Sequence, residues 1–240
     1  MAGGYYVALS GMRTRIDQLD RLADEIANAS TPGFKGERAG HEKAPRPSFA
    51  ATFETAIDVM TGGRQLDMRA GTIVNTGQEL DVAIDGNGFL AVETPAGTRY
   101  TRNGHLARQP DGTLTTTDGA PVLGEDGPIK LGTGAVQIET DGTVRSGGVV
   151  AGRLSVVEFA EPTRLVREGG ALLRAGEGAA PAAAAQPTVR TGALEQSNVS
   201  VVERVAELTN VSRNFEALQR AVSVLMNDID GRTIESIGRR

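Results

Sequence analysis

The sequence contains no cysteine and no tryptophan, and its 240 residues include only six phenylalanines and three tyrosines. Without cysteine there is no disulfide bond and no thiolate metal site, so an exported protein of this sequence would fold without oxidation. No segment approaches the ~20 consecutive apolar residues that a membrane-spanning helix requires. The N-terminus lacks a basic start followed by an apolar run, so we expect no ordinary cleaved signal peptide.

The distribution of charge excludes an obvious nucleic-acid surface. Lys and Arg number 25 against 30 Asp and Glu, which gives a net charge of −5, and the basic residues are scattered. A nucleic-acid-binding surface needs positive charge concentrated along the path of the phosphate backbone. We therefore expect no nucleic acid among the partners.

Glycine is abundant, at 31 residues, and it marks many tight turns. From Leu80 to about Leu173, short alternating segments are separated by Asp-Gly pairs, which favour β-hairpin turns. The clearest is Asp85-Gly86, which lies between two short apolar runs, and similar pairs occur at Asp111-Gly112 and Asp141-Gly142. Because no strand alternates with a long helix, the sequence predicts a compact antiparallel β domain rather than a parallel α/β fold.

Both ends of the chain carry apolar residues at helical spacing. A helix is predicted over residues 5–28, with polar side chains such as Glu25 on its other faces, and Pro32 ends it because proline lacks a backbone donor. A second helix is predicted over 201–229, where Ser200 and Glu203 form a capping box and Gly231 is placed to end the helix. The first stripe consists of Leu9, Met12, Ile16, Leu19, Ala23 and Ile26, and the second of Val201, Val205, Leu208, Val211, Phe215, Leu218, Val222, Leu225 and Ile229.

Stripes this narrow are typical of coiled-coil seams, and left exposed they would drive aggregation. The sequence thus predicts an α+β fold in which the N- and C-terminal helices pair as a coiled coil, with an inserted antiparallel β domain. The predicted divisions are an N-terminal helix (1–35), an extended connector and hairpin (36–75), the β domain (76–195) and a C-terminal helix (196–240). We predict that the stripes, from Val205 onward in the second helix, are subunit interfaces.

No pattern in the sequence indicates catalysis. The two histidines, His41 and His105, are not at metal-ligand spacing, and no Gly-x-Ser-x-Gly elbow occurs. We predict no catalytic residue, no metal, no cofactor and no small-molecule substrate. A cell-wall hydrolase that uses carboxylates such as Asp81, Asp85 and Glu93 is one alternative, and a free-standing coiled-coil adaptor is another.

Four segments of the sequence resemble motifs of the bacterial flagellar rod and hook family. Ile26 to Lys35 is similar to the N-terminal signature of that family, and Gly192 to Val199, followed by a helix containing Arg213-Asn214-Phe215-Glu216, is similar to its C-terminal motif. Leu80 to Phe89 and Tyr100 to Gly104 are similar to motifs of its β domain. The residues that carry the terminal resemblance are Asn28, Thr31, Pro32, Gly33, Phe34, Lys35, Ser197 and Asn198.

Within the family, the chain length, the single β domain and the segment from Gly119 to Ile129 most resemble the proximal-rod branch, with the distal-rod branch as the close alternative. The resemblance implies a non-enzymatic rod subunit that polymerises helically, as part of the drive shaft and export channel needed for motility. Its implied partners are other rod subunits and neighbouring rod, hook or export-gate proteins, with self-association in the assembled rod. The implied location is the periplasmic rod of the basal body, reached through the flagellar type III apparatus.

Overall fold

The computed structural model describes residues 2–39, 64–184 and 187–237. Within these ranges a long helix lies at each end, with 19 short strands and one 3₁₀ turn between the helices. The helices are α1 (Ala2–Ala27) and α2 (Val201–Ile237), and the 3₁₀ turn is Pro162–Arg164. The strands are β1 (Glu37–Ala39), β2 (Arg64–Leu66), β3 (Ile73–Asn75), β4 (Val82–Asp85), β5 (Phe89–Thr94), β6 (Gly97–Thr101), β7 (Leu106–Arg108), β8 (Leu114–Thr116), β9 (Leu123–Gly124), β10 (Gly127–Pro128), β11 (Val136–Ile138), β12 (Thr143–Ser146), β13 (Val149–Arg153), β14 (Val156–Phe159), β15 (Leu165–Gly169), β16 (Leu172–Ala175), β17 (Pro181–Ala183), β18 (Thr188–Thr191) and β19 (Ala193–Glu195).

The described residues group into two compact units. One contains both helices, and we call it the helical unit. The other, which we call the β unit, contains Asn28–Arg38 and Gln65–Val199. The predicted connector and hairpin falls largely on residues 40–63, which lie outside the described residues, and the predicted domain boundaries stay a prediction. No helix in the part of the chain that the structure describes is long and apolar enough to cross a membrane.

The predicted fold class is wrong. A helix does lie at each end, but most of the elements between them are β-strands, and the two helices show no coiled-coil seam over their described length. A seam requires the apolar stripe of each helix to be buried along its length. Instead Ile16 and Val205 are about half exposed, at 45% and 46%, whereas Leu22 and the charged Glu25 are fully buried. The buried face of α1 is therefore not the predicted apolar stripe.

The ends of the helices follow the sequence signals only in part. The turn after α1 is closed by a hydrogen bond from the Thr31 amide to the Asn28 carbonyl (3.0 Å), next to the predicted stop at Pro32. Helix α2 begins at Val201, as predicted, and the Glu203 amide donates to Ser200 Oγ at 3.5 Å. The predicted termination at Gly231 is wrong, because α2 continues to Ile237. One glycine inside a helix costs only about 1 kcal/mol, which a long helix tolerates.

The β unit is built from antiparallel strand pairs. Its largest sheet has the order β15-β16-β6-β5-β14-β17, and a second sheet has the order β11-β12-β13. Strand β5 is covered on both faces: Leu90 and Val92 belong to the main apolar core, and Phe89 and Ala91 belong to a second cluster. Because alternate side chains of a strand point to opposite faces, this double burial explains why Phe89 to Val92 is a continuous apolar run.

Candidate assembly sites

The chain segments that follow α1 and precede α2 are joined to each other inside the β unit. Asn198 makes most of the connections: its amide donates to the Phe34 carbonyl (3.3 Å), and its side-chain Oδ1 accepts from the Gly36 amide (2.8 Å). Its Nδ2 donates to the Asp67 carbonyl at 2.7 Å. One side-chain amide thus satisfies backbone groups of two segments that are far apart in sequence. We expect loss of the Asn198 side chain to weaken the attachment of both segments.

Three buried charges lie beside this connection, and we call Lys35, Arg102 and Glu195 the junction triad. Lys35 Nζ lies 2.5 Å from Glu195 Oε1, and Arg102 Nη1 lies 3.0 Å from Glu195 Oε2. The Gly71 amide donates to Glu195 Oε1 at 2.8 Å. Buried ions are tolerated when they are paired and their remaining lone pairs are satisfied, and the carboxylate of Glu195 meets both conditions.

Burial and pairing act in opposite directions on the charges of the triad. Burial by itself would raise the pKa of Glu195, but the hydrogen bond and charge of Lys35, the Gly71 amide and the charge of Arg102 together lower this pKa below the ordinary value. Burial lowers the pKa of Lys35, and the contact with Glu195 offsets part of that change. Both pKa values are lowered, which favours the charged form of Glu195 but the neutral form of Lys35. We assign the ionised form to Glu195, because two cations and a backbone donor surround it.

Packing holds the Gly33-Phe34-Lys35 sequence in place. Phe34 is fully buried, and the Arg167 guanidinium carbon lies 4.4 Å from the centre of its ring. Arg167 also donates a hydrogen bond to the Lys35 carbonyl. Gly33 has φ of +69°, and a Cβ atom there would lie 2.2 Å from the carbonyl carbon of Arg102. Glycine is therefore the residue that fits this position, both for backbone conformation and for space.

The structure brings together four of the eight residues that carry the terminal resemblance: Gly33, Phe34, Lys35 and Asn198. The others make local contacts. Thr31 Oγ1 donates to Asn28 Oδ1 at 3.3 Å, Pro32 is half-buried, and Ser197 Oγ accepts from the Val199 amide at 3.1 Å. Sequence reasoning missed the pairing of Glu195 with Lys35 and Arg102, although all three residues lie inside motifs that carry the resemblance.

A second group of charges lies between α1 and α2 in the helical unit. We call Gln18, Arg21, Glu25, Arg204 and Glu207 the helix cluster. Arg204 Nε lies 2.9 Å from Glu25 Oε2, and Arg21 Nη1 lies 3.2 Å from Glu25 Oε1. Glu207 accepts from Arg204 (2.6 Å) and lies 3.6 Å from Arg21. Gln18 Nε2 donates to Glu207 at 3.4 Å. Two cations and two anions alternate, so the cluster has no net charge.

The predicted interface residues lie on several faces of the helices. On α1, Ile16 and Ala23 are exposed, and Met12, Leu19 and Ile26 are intermediate. On α2, Val205 is exposed, Val211 is buried, and Leu208, Phe215, Leu218 and Val222 are intermediate. The side chains of Leu9, Leu225 and Ile229 lie outside the described residues. Their role as subunit contacts stays a prediction.

Two of the three carboxylates of the hydrolase alternative, Asp81 and Asp85, lie beside basic side chains. Asp81 is almost completely buried, and its Oδ1 lies 2.6 Å from His105 Nδ1, a contact that sequence reasoning missed. Asp85 lies 2.7 Å from Arg190. Glu93 is exposed on β5, and His41 lies outside the described residues. Within the described ranges, no three histidine or carboxylate side chains are grouped in a way that would hold a metal ion.

Comparisons with known proteins match both the β unit and α2. Residues 83–146 match the family described as the flagellar hook protein FlgE/F/G D1 domain, and residues 190–228 match the flagellar basal body rod FlgEFG protein C-terminal family. The flagellar basal-body rod protein FlgF of Caulobacter vibrioides is 31% identical over 226 residues, which is 92% of each chain. FlgF of Rhizobium meliloti is 31% identical over 252 aligned residues, 99% of each chain. FlgF of Escherichia coli is 34% identical over 232 residues, 91% of this chain and 92% of the relative.

These matches confirm the predicted resemblance. The sequence left the distal rod protein FlgG as an alternative to the proximal rod protein FlgF, and the relatives that span nearly the whole chain favour FlgF. The matched segments include both Arg102, which directly follows β6, and the segment that carries Glu195 and Asn198. The chain therefore belongs to the FlgF family of flagellar basal-body rod proteins.

Proposed function

We propose that this rod protein is a non-catalytic subunit of the proximal rod, built into the rod through α1 and α2. The observation that carries the proposal is the exposure of large apolar side chains on both helices. Val202 is 81% exposed, and Ile16 and Val205 are each about half exposed. Burying these side chains against a neighbouring subunit removes apolar surface from water, which is favourable. Burying one such side chain in a contact contributes about 1.5–3 kcal/mol.

The charges beside these residues support contacts between copies of the chain or with similar subunits. Helix α1 exposes Asp17 and Asp20 beside Ile16, and α2 exposes Arg213 and Arg220. Helix α1 also exposes Arg13, and α2 also exposes Glu203 and Glu216, so each helix offers charges of both signs. Such charges can be matched in a heterologous contact, in which one face of a subunit meets a different face of the next. Contacts of this type that do not close into a ring generate an open helical polymer. Such a polymer would supply the drive shaft and the export channel.

Membership of the rod family supports a proposal for the partners and the location. We propose other rod subunits, including further copies of this chain, and neighbouring rod, hook or export-gate proteins as the partners. The proposed location is the periplasmic rod of the flagellar basal body, reached by export through the flagellar type III apparatus. In support, the relatives that span the chain are named as basal-body rod proteins.

A peptidoglycan hydrolase is the less favoured function. Such an enzyme needs two carboxylates that reach the substrate. The Asp81 side chain is almost completely enclosed and contacts His105, and the Asp85 carboxylate contacts Arg190. A zymogram with the purified protein tests this alternative, and a cleared band of peptidoglycan at the position of the protein would support it.

The test of the proposed function is the replacement of apolar helix residues by aspartate. We expect Ile16→Asp and Phe215→Asp each to block incorporation into the rod and to abolish swimming, because a charge cannot be buried in an apolar contact without a partner. The readouts are motility in soft agar and the amount of the protein in purified basal bodies. Ile16→Leu is the matched control, and it should swim normally. Normal swimming of both aspartate variants would refute the proposal.

A further inference from the structure

We propose that the helix cluster sets the rotation of α1 about its own axis, and so keeps Ile16 available for a neighbouring subunit. In this inference Glu25 and Arg204 are positioning residues for assembly. The inference rests on the proposed function, because it concerns the face of α1 that is offered to other subunits. It does not depend on any contact between the helical unit and the β unit.

The buried face of α1 does not coincide with its apolar stripe. Leu22 and Glu25 are fully buried, whereas Ile16 and Ala23 are exposed. Successive residues of an α-helix are about 100° apart around its axis, since 3.6 residues make one turn. The buried face is thus displaced by about one residue step from the apolar stripe that contains Ile16, Ala23 and Ile26. Helix α1 thus buries the carboxylate of Glu25, whereas the side chain of Ile16 is about half exposed.

Apolar burial alone favours a different rotation of α1 about its axis. Turning α1 by about one residue step would bring Ile16 and Ala23 toward α2 and would carry Glu25 toward water. That rotation would expose Leu22, but it would bury Ile16 and Ala23 and bring the charge of Glu25 into water. The exchange of one leucine for an isoleucine and an alanine, together with hydration of the charge, favours the rotation. The described contacts on this face of α1 that oppose it are the packing of Leu22 and the ion pairs of the helix cluster.

The ion pairs of the helix cluster join α1 to α2. Arg204 contacts both Glu25 (2.9 Å) and Glu207 (2.6 Å), and Arg21 lies 3.2 Å from Glu25 and 3.6 Å from Glu207. Each arginine therefore lies within ion-pair distance of two carboxylates, one on its own helix and one on the other helix. A rotation of α1 by one residue step would break the contacts that cross between the helices. Fixing register is the best-attested use of buried ionic groups.

The absence of cysteine from the chain makes a direct test practical, because a single introduced cysteine is the only thiol that a maleimide can label. In the otherwise unchanged purified protein, we expect the Ile16→Cys thiol to react at least about tenfold faster than the Leu22→Cys thiol, since labelling follows exposure. In the Glu25→Leu/Arg204→Leu background we expect this order to be lost or reversed. We also expect this double variant, without cysteine, to be non-motile.

Two further variants sharpen the test. The charge exchange Glu25→Arg/Arg204→Glu rebuilds a contact between opposite charges, and it should restore the labelling order. Asp20→Leu/Arg213→Leu removes one exposed charge of each sign from the same two helices, so it should leave the labelling order unchanged. An unchanged order in Glu25→Leu/Arg204→Leu, or equal labelling of the two cysteines in the otherwise unchanged protein, would overturn the inference. Labelling decides the rotation of α1, while motility of Ile16→Asp decides the proposed function separately.

Discussion

At the scale of single residues, Glu195 is the centre of the contacts that connect the two terminal motifs within the β unit. Its two carboxylate oxygens are divided between Lys35 and Arg102, and the Gly71 amide completes the set. Removing one member of a buried ion group leaves the remaining charges without compensation. The carboxylate is therefore more important for stability than the modest value of a surface salt bridge suggests.

We expect Glu195→Gln to lower the free energy of unfolding of the β unit by about 3–5 kcal/mol, because two buried cations lose their counter-charge. Urea denaturation followed by circular dichroism of the β-sheet measures this change. Glu158→Gln, which changes an exposed glutamate on β14, is the matched control and should change the free energy by less than about 0.5 kcal/mol. Equal effects of the two substitutions would contradict the role of the triad.

We also expect the stabilising effect of Glu195 on the β unit to depend on pH. Glu195 has a pKa below the ordinary 4.5 in the folded protein, so above pH 4.5 the carboxylate is charged in both states and its stabilising effect is complete. As the pH falls below 4.5, the unfolded chain takes up the proton first, and the stabilisation is lost as the pH passes through the folded value. The stability difference between wild type and Glu195→Gln should therefore narrow below pH 4.5.

The junction triad shows what sequence reasoning at this scale misses. Lys35, Arg102 and Glu195 each lie in a segment that the family resemblance identifies, but nothing in periodicity or spacing relates residues 35, 102 and 195. Periodicity reports which face of a local element is apolar, and it carries no information about pairs of charges that are distant in the chain. The importance of the segments was predictable, and the contacts between them were not.

At the scale of elements, α2 carries valines in very different surroundings. Val211 is buried, whereas Val202 is 81% exposed. We expect Val211→Ala to destabilise the helical unit by about 1.5 kcal/mol, since two methyl groups leave a packed site at roughly 0.8 kcal/mol each. Val202→Ala is the control for helix propensity and side-chain size, and it should not be destabilising. The measurement is the loss of helical circular dichroism with urea, and a larger effect at Val202 would contradict the described packing.

The elements also show which sequence signals are reliable. Asp-Gly turns are predicted only in part: Gly86, Gly112 and Gly142 have positive φ, as tight turns require. Asp111-Gly112 and Asp141-Gly142 each join two paired strands. The hairpin predicted at Asp85-Gly86 is wrong, because β4 pairs with β18 and β5 pairs with β6 and β14. The start of α2 at Val201 is predicted by its capping box. The rotation of α1 is not predicted, because Glu25 was assigned to the solvent face on the rule that charges stay outside. That rule fails where an arginine of another element, here Arg204, compensates the charge.

At the scale of the whole molecule, the two units differ in what they offer to other molecules. In the β unit the charges of the junction triad and most of the large apolar side chains are internal, and the most exposed apolar residues are Val149 and Val150 on β13. The helical unit buries Leu22, Glu25 and Val211 but leaves Ile16, Val202 and other apolar residues in water. The proposed docking faces are thus on the terminal helices, and the β unit is held together by its own contacts. This division agrees with membership of a family whose members are rod proteins.

The purified protein should be a monomer. Each exposed apolar group is small, and an open heterologous contact gives one weak contact per subunit until several neighbours bind at once. A free-standing adaptor requires the opposite, a stable oligomer formed by this chain alone. Sedimentation velocity over a wide concentration range distinguishes them, because a weak contact leaves the sedimentation coefficient that of a monomer at micromolar concentration. Ile16→Asp is the control, and it should sediment like wild type. A discrete oligomer that Ile16→Asp dissociates would mean that the same face forms a closed assembly, and the adaptor would then be the better description.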